Sequence, residues 1–226
     1  MNTNALSGSE KLYLMLSTCF CVVVIISNLI APKLFPAPFI PNLALSAGVV
    51  TYPLTFILGG LVTEIFGKKK AEFMVYTCFA MGIISYLLIQ LALYLPSQER
   101  DNQVFFEKVF GLNGLIVFSS MSAYFVAQMI DVRLYAFFKK LTRTKHLWLR
   151  NNGSALIAQF VDTIIVNAGL LYFGLNMPLK DVAKVILLVY IYKSCFSICN
   201  TPLFYLAVSL SKKYLHQNQL PITNPQ

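Results

Sequence analysis

Charge is scarce in this chain. Of 226 residues only 12% are Asp, Glu, Lys or Arg, against roughly 25% in an ordinary soluble domain, so a solvated globular surface is excluded. Motifs that carry chemistry are missing as well. There is no Cys-x-x-Cys pair, no H-E-x-x-H and no G-x-S-x-G, and both histidines, His146 and His216, lie outside the apolar runs. Gly67 and Lys68 lack the spaced glycine and the following hydroxyl of a phosphate-binding loop, which excludes ATP hydrolysis by that route. Neither an enzyme nor a bound cofactor or metal is expected.

What is present is apolar length. The chain is 57% hydrophobic with a mean hydropathy of +0.66. Six stretches are long enough to cross a hydrocarbon layer of roughly 30 Å as helix. They run from about Lys11 to Ala31, Ser46 to Phe66, Glu72 to Leu95, Leu115 to Phe138, Gly153 to Phe173 and Val185 to Leu210. The expected fold is all-α, a single integral-membrane domain of six transmembrane helices. The first run has no small-residue cleavage site after it and is read as retained. Cys19, Cys21, Cys78, Cys195 and Cys199 all fall inside the runs and are read as small core residues.

The net charge of +9 does not imply nucleic acid, because the basic residues cluster at run ends. One side of a six-crossing bundle carries Lys11, Lys68 to Lys70, Lys139, Lys140, Arg143, Lys145, Arg150, Lys212 and Lys213; the other carries Lys33, Arg100, Lys108, Lys180 and Lys184. That asymmetry predicts cytoplasmic N- and C-termini. Residues 31–42, with four prolines, read as an extended outer loop, and QVFFEKVFG as a short amphipathic helix in the next one. Pro202 is expected to break the last span near Asn200 and Thr201, and the tail 215–226 to be disordered.

Five ionisable residues lie within or beside the runs: Glu64, Asp131, Arg133, Asp162 and Lys193. At mid-membrane each costs about 2.5–3.5 kcal/mol, so each needs an interior position and a partner. Arg133, close to the basic end, is expected to snorkel. Counting about 1.5 Å of rise per residue puts Asp162 and Lys193 at one level, where they would neutralise each other. The repeated phrase AQMID at 127–131 and AQFVD at 158–162 sits on two antiparallel helices, bringing Gln128 level with Asp162 and Asp131 level with Gln159. Tyr124 and Tyr135 extend this stripe. On the last span Tyr190, Lys193, Ser197 and Asn200 form a second polar stripe. Asn28 is a further candidate, and Glu64 is expected to pair with a nearby lysine. Carboxylates, amides and aromatic rings together suit a flat, hydrogen-bonding heterocycle or a sugar; the rival reading is interhelical bridging and a structural ion pair with no ligand.

These residues carry a resemblance. SN at 27–28, YPLTFILGGLVTEIFGKKKA at 52–71, AYFVAQMIDV at 123–132, LWLRNNGSALIAQFVDT at 147–163 and YKSCFSICNTPLFY at 192–205 resemble the queuosine precursor transporter family, also called the vitamin uptake transporter family. The likeness implies a bacterial inner-membrane importer of 7-deazaguanines such as preQ0, preQ1 or queuine, destined for tRNA modification. It carries Asn28, Glu64, Tyr124, Gln128, Asp131, Gln159, Asp162 and Lys193 as substrate contacts. Gly60 departs from the family pattern, where an aspartate is common. The fold implied is similar to the substrate-binding subunits of energy-coupling factor importers, so an external ATPase module or a second copy of the chain stands as an alternative partner. The A-x-x-x-A docking pattern of those subunits is missing from TCFCVVVIISN, which favours a solitary carrier in the lipid bilayer.

Overall fold

The computed structural model describes residues 6–36, 44–111, 114–143 and 145–219. It is a helical bundle with one small hairpin. Helix α1 (Gly8–Ile30) leads to β1 (Leu34–Pro36), which pairs antiparallel with β2 (Ala44–Ser46). There follow α2 (Gly48–Phe66), α3 (Lys68–Tyr94), the short α4 (Arg100–Phe110), α5 (Gly114–Leu141) and α6 (Leu147–Asn167), which continues as a π-helix from Ala168 to Gly174. The chain closes with α7 (Leu179–Cys199) and α8 (Thr201–Gln219).

Among the described residues five helices are long and apolar enough to span a membrane: α1, α2, α3, α6 with its π-helical extension, and α7. Each also presents large apolar side chains outward, among them Met15, Phe73, Leu87, Phe160 and Leu187, as lipid-facing helices do. The protein is therefore a multi-pass, all-α membrane protein. Helix α5, the fourth expected span, is 28 residues long and is not one of the five found among the described residues.

Helix α2 is the axis. About 61% of its apolar window is buried, against 17–22% in the other four. Its Gly59–Gly60 pair explains how neighbours approach so closely. A Cβ on Gly59 would stand 3.2 Å from Gln128 Oε1, and one on Gly60 3.2 Å from the Phe204 ring and 3.3 Å from Asn151 Oδ1. The main core gathers Phe20, Val24, Leu61, Val62, Met74, Val75, Tyr135 and Phe204 around this helix.

One end of the bundle is basic, where α2 passes into α3 and α5 into α6. Tyr13 of α1 donates to the Lys70 carbonyl there at 3.0 Å. The hairpin lies at the opposite end, because it joins the far ends of α1 and α2. The hairpin accounts for part of the proline-rich loop, whose residues 37–42 lie outside the described ones. The expected amphipathic helix is α4.

Three expectations need correction. The last span breaks near Asn200, as expected from Pro202, but into two separate helices of which only the first is membrane-long. α7 begins at Leu179, six residues before the expected start, and ends at Cys199; α8 begins at Thr201 and is not among the membrane-long helices. Pro202, just inside α8, lacks the N–H that a continuous helix would use, and the chain turns at Asn200. Residues 215–219 of the supposed disordered tail are helical, with Leu215 packed on the core; residues 220–226 lie outside the described ones. Of the five cysteines only Cys78 is buried; Cys19, Cys195 and Cys199 face outward.

Candidate functional site

Two adjoining cavities enter the bundle from the hairpin end. The outer one, about 360 Å³, is bounded by α1, α3, α5 and the π-helical segment, and is mostly apolar. The inner one, about 120 Å³, is the more polar of the two: Ser27, Asn28, Tyr52, Thr55, Ser120, Tyr124, Asp162 and Lys193 are among the residues that line it. Asn28, Ala31, Ser46, Ser120 and Val166 border both, so the two adjoin. An apolar cavity of ~150 Å³ takes up a benzene ring. The inner hollow is thus of single-ring scale, and the outer space leaves room for a larger ligand.

The charged centre of the hollow joins α6 to α7. Lys193 Nζ donates to Asp162 Oδ2 at 2.9 Å, with the two side chains 10% and 3% exposed. The ammonium also stands 4.3 Å from the centre of the Tyr52 ring, a cation–π contact from α2. The Tyr52 hydroxyl faces the Asp162 carboxylate without completing a hydrogen bond. A π-helical segment six residues beyond Asp162 widens α6 where it borders the outer cavity, a placement common for such segments.

Neutral groups fill the remaining wall. Ser120 of α5 donates to Asn28 Oδ1 at 3.1 Å, and Asn28 donates to the Val24 carbonyl at 3.2 Å. Ser27 of α1 and Thr51 of α2 share a hydrogen bond. Gln128 Nε2 donates to Thr55 Oγ1 at 3.3 Å, while Thr55 donates to the Tyr52 carbonyl at 2.7 Å. Tyr124 donates its hydroxyl to Cys78 Sγ at 3.8 Å, which leaves its ring as the part available to the hollow.

Of the nine sequence candidates, Asn28, Tyr124, Asp162 and Lys193 line the hollow. Gln128 reaches it through Thr55. Asp131 and Gln159 are fully buried beside it rather than on its wall, and neither glutamine hydrogen-bonds an aspartate. Asp131 instead lies against Gly59 together with Gln128, with the Ser154 hydroxyl in reach. Asn200 caps the end of α7, donating to the Phe196 carbonyl at 2.7 Å, so it does not join the stripe of Lys193 and Ser197.

Glu64 belongs to a different cluster, at the basic end. Its carboxylate receives the Tyr135 hydroxyl at 3.0 Å, Lys139 at 3.3 Å and Arg150 at 3.5 Å, drawing α2, α5 and α6 together. Helix α8 covers the same end. Phe204, fully buried, fills the notch at Gly60; Asn152 and Thr201 exchange hydrogen bonds at 2.9 and 3.2 Å; the Tyr205 hydroxyl accepts from the Trp148 amide at 3.1 Å. The notch at Gly60 is packed shut, so the departure from aspartate there lies in this seal and not in the hollow. Arg133 sits at the surface, 60% exposed, and donates to Glu72 at 3.2 Å.

Sequence reasoning missed Tyr52, Thr55, Ser27 and Ser120. Their signal was slight: uncharged polar residues in helix turns that are otherwise apolar, such as TYPLTF at 51–56.

The bundle thus holds a hollow, entered from the hairpin end, with an ion pair and several hydroxyl and amide groups on its wall. Comparison with known proteins gives the protein's class. Residues 46–207 match the family described as "Putative vitamin uptake transporter". The chain belongs to that family. It is a membrane transporter and not an enzyme. The transporter is also 25% identical, over 168 residues, to a "Probable queuosine precursor transporter" of Bacillus subtilis (strain 168), a match covering 74% of this chain and 72% of that relative. No solved structure matches the chain.

Proposed function

We propose that the transporter imports queuosine precursors, 7-deazaguanines such as preQ0, preQ1 or queuine, as a solitary carrier of the bacterial inner membrane. The observation that carries this reading is the Lys193–Asp162 pair beside Tyr52 and Tyr124 in the polar hollow. A 7-deazaguanine has a flat bicycle whose edge offers one carbonyl acceptor next to N–H donors. A carboxylate accepts from those donors, an ammonium or phenol donates to the carbonyl, and an aromatic ring stacks on the bicycle. The name of the Bacillus subtilis relative points to the same chemistry.

In this reading α5 makes a sixth crossing, which returns the chain from the hairpin end to the basic end. The basic end is cytoplasmic. The described conformation is then open toward the outside through the larger cavity and sealed inside by Glu64 and α8. Release requires that seal to part, a change of accessibility around a fixed mid-membrane site. The substrate contacts are Asn28, Tyr124, Asp162 and Lys193; Gln128, Asp131 and Gln159 support them from behind, and Glu64 holds the inner seal.

Purified protein in liposomes without any partner tests the proposal. Saturable uptake of radiolabelled preQ1 supports it. Binding without uptake favours a substrate-binding subunit that serves a separate ATPase, and neither binding nor uptake overturns the substrate assignment.

A further inference from the structure

We infer that Tyr52 reads the hydrogen-bonding edge of the substrate through its hydroxyl, while Tyr124 supplies the flat face. This rests on the hollow being the 7-deazaguanine site. Tyr52 lines the hollow from α2, yet its ring is already engaged: the Lys193 ammonium stands 4.3 Å from the ring centre, and the Phe56 ring leans against it at 5.2 Å and 49°. Stacking a ligand on that ring would displace a charge from a cation–π contact. The hydroxyl is the reverse case. It is buried and lies against the Asp162 carboxylate without completing a well-formed hydrogen bond, a state that costs free energy until a ligand or water completes it.

Tyr124 is complementary. Its hydroxyl is committed to Cys78 Sγ at 3.8 Å, and its nearest ring neighbour, Phe20, is tilted by 44° at 6.2 Å. Its contribution to the hollow is therefore an apolar surface.

The edge chemistry follows from what surrounds Tyr52. Asp162 accepts one bond from Lys193 on Oδ2 and retains further acceptor capacity, since a carboxylate has about four lone-pair sites. Asp162 meets the ring N–H and amino donors. The neighbouring Tyr52 O–H donates to the carbonyl beside them. Sequence alone does not reveal this division, because the two tyrosines differ only in what already holds their polar and apolar parts.

Calorimetric titration of the detergent-solubilised full chain tests it with two probes, 7-deazaguanine and 2-amino-7-deazapurine, which lacks the carbonyl and, with it, the adjacent ring N–H but keeps the amino donor. Tyr52→Phe keeps the ring under Lys193 and is expected to weaken 7-deazaguanine about tenfold while leaving 2-amino-7-deazapurine and the melting temperature unchanged. Tyr124→Leu, which removes the flat face, is expected to weaken both probes. Unaltered binding of both probes by Tyr52→Phe, or equal losses for both, overturns the assignment. Failure of the wild-type protein to bind 7-deazaguanine overturns instead the reading of the hollow on which it rests.

Discussion

Lys193 of α7 and Asp162 of α6 form a 2.9 Å hydrogen-bonded ion pair that is almost wholly enclosed, 10% and 3% exposed, at the wall of the polar hollow. Enclosed pairs of this kind contribute little net stability over an apolar replacement, but losing one partner leaves the other charge stranded at a cost of about 3–5 kcal/mol. Retaining such a pair inside a membrane bundle is therefore better explained by solute binding than by folding.

The first prediction concerns that asymmetry. Asp162→Asn and Lys193→Ala each abolish measurable uptake. The double substitution Asp162→Asn with Lys193→Met recovers most of the melting temperature but none of the transport. Uptake in liposomes and thermal unfolding in detergent, measured on the same preparations, separate the two effects. Normal uptake by both single variants removes the pair from the mechanism.

Glu64 carries the second prediction. Its carboxylate is the acceptor shared by Tyr135, Lys139 and Arg150, and Arg150 is only 3% exposed. Glu64→Gln strands that guanidinium and is expected to destabilise the protein by about 3 kcal/mol. Because Glu64 does not line the hollow, affinity for 7-deazaguanine should change less than about threefold. A tenfold loss of affinity at unaltered stability would place Glu64 on the substrate instead.

Helix α8 supplies the third. Phe204 is fully buried in the Gly60 notch, whereas Leu206, two residues on, is 54% exposed. Phe204→Ala should cost about 3–5 kcal/mol and Leu206→Ala less than about 1 kcal/mol. Equal, small effects on the melting temperature would mean that α8 does not dock on the bundle.

Much of this arrangement was legible in the chain because membrane burial makes charges conspicuous. Asp162 and Lys193 stood out against apolar helices, and the rise per residue put them level before any contact was known. The pairing of Glu64 with a lysine followed from TEIFGKKKA in outline, though the partner is Lys139 across the bundle rather than a neighbour in sequence. Tyr52 and Thr55 were hidden because uncharged hydroxyls cost little in a helix and leave no mark in hydropathy. Helix α8 was hidden for the opposite reason. LFYLAVSL at 203–210 is as apolar as a crossing segment, so hydropathy merged it with α7, whereas its apolar side docks on the closed end of the bundle through Phe204 and Val208. Rotation about a helix axis was equally illegible, which is why Gln159 was placed on the cavity wall and Cys195 in the core.

The most direct measurement is an experimental structure of the full-length protein with 7-cyano-7-deazaguanine bound. The account predicts the bicycle in the hollow, its donor edge within hydrogen-bond distance of Asp162 and its face on Tyr124. Ligand seated elsewhere, with the Lys193–Asp162 pair undisturbed and out of contact, would contradict it.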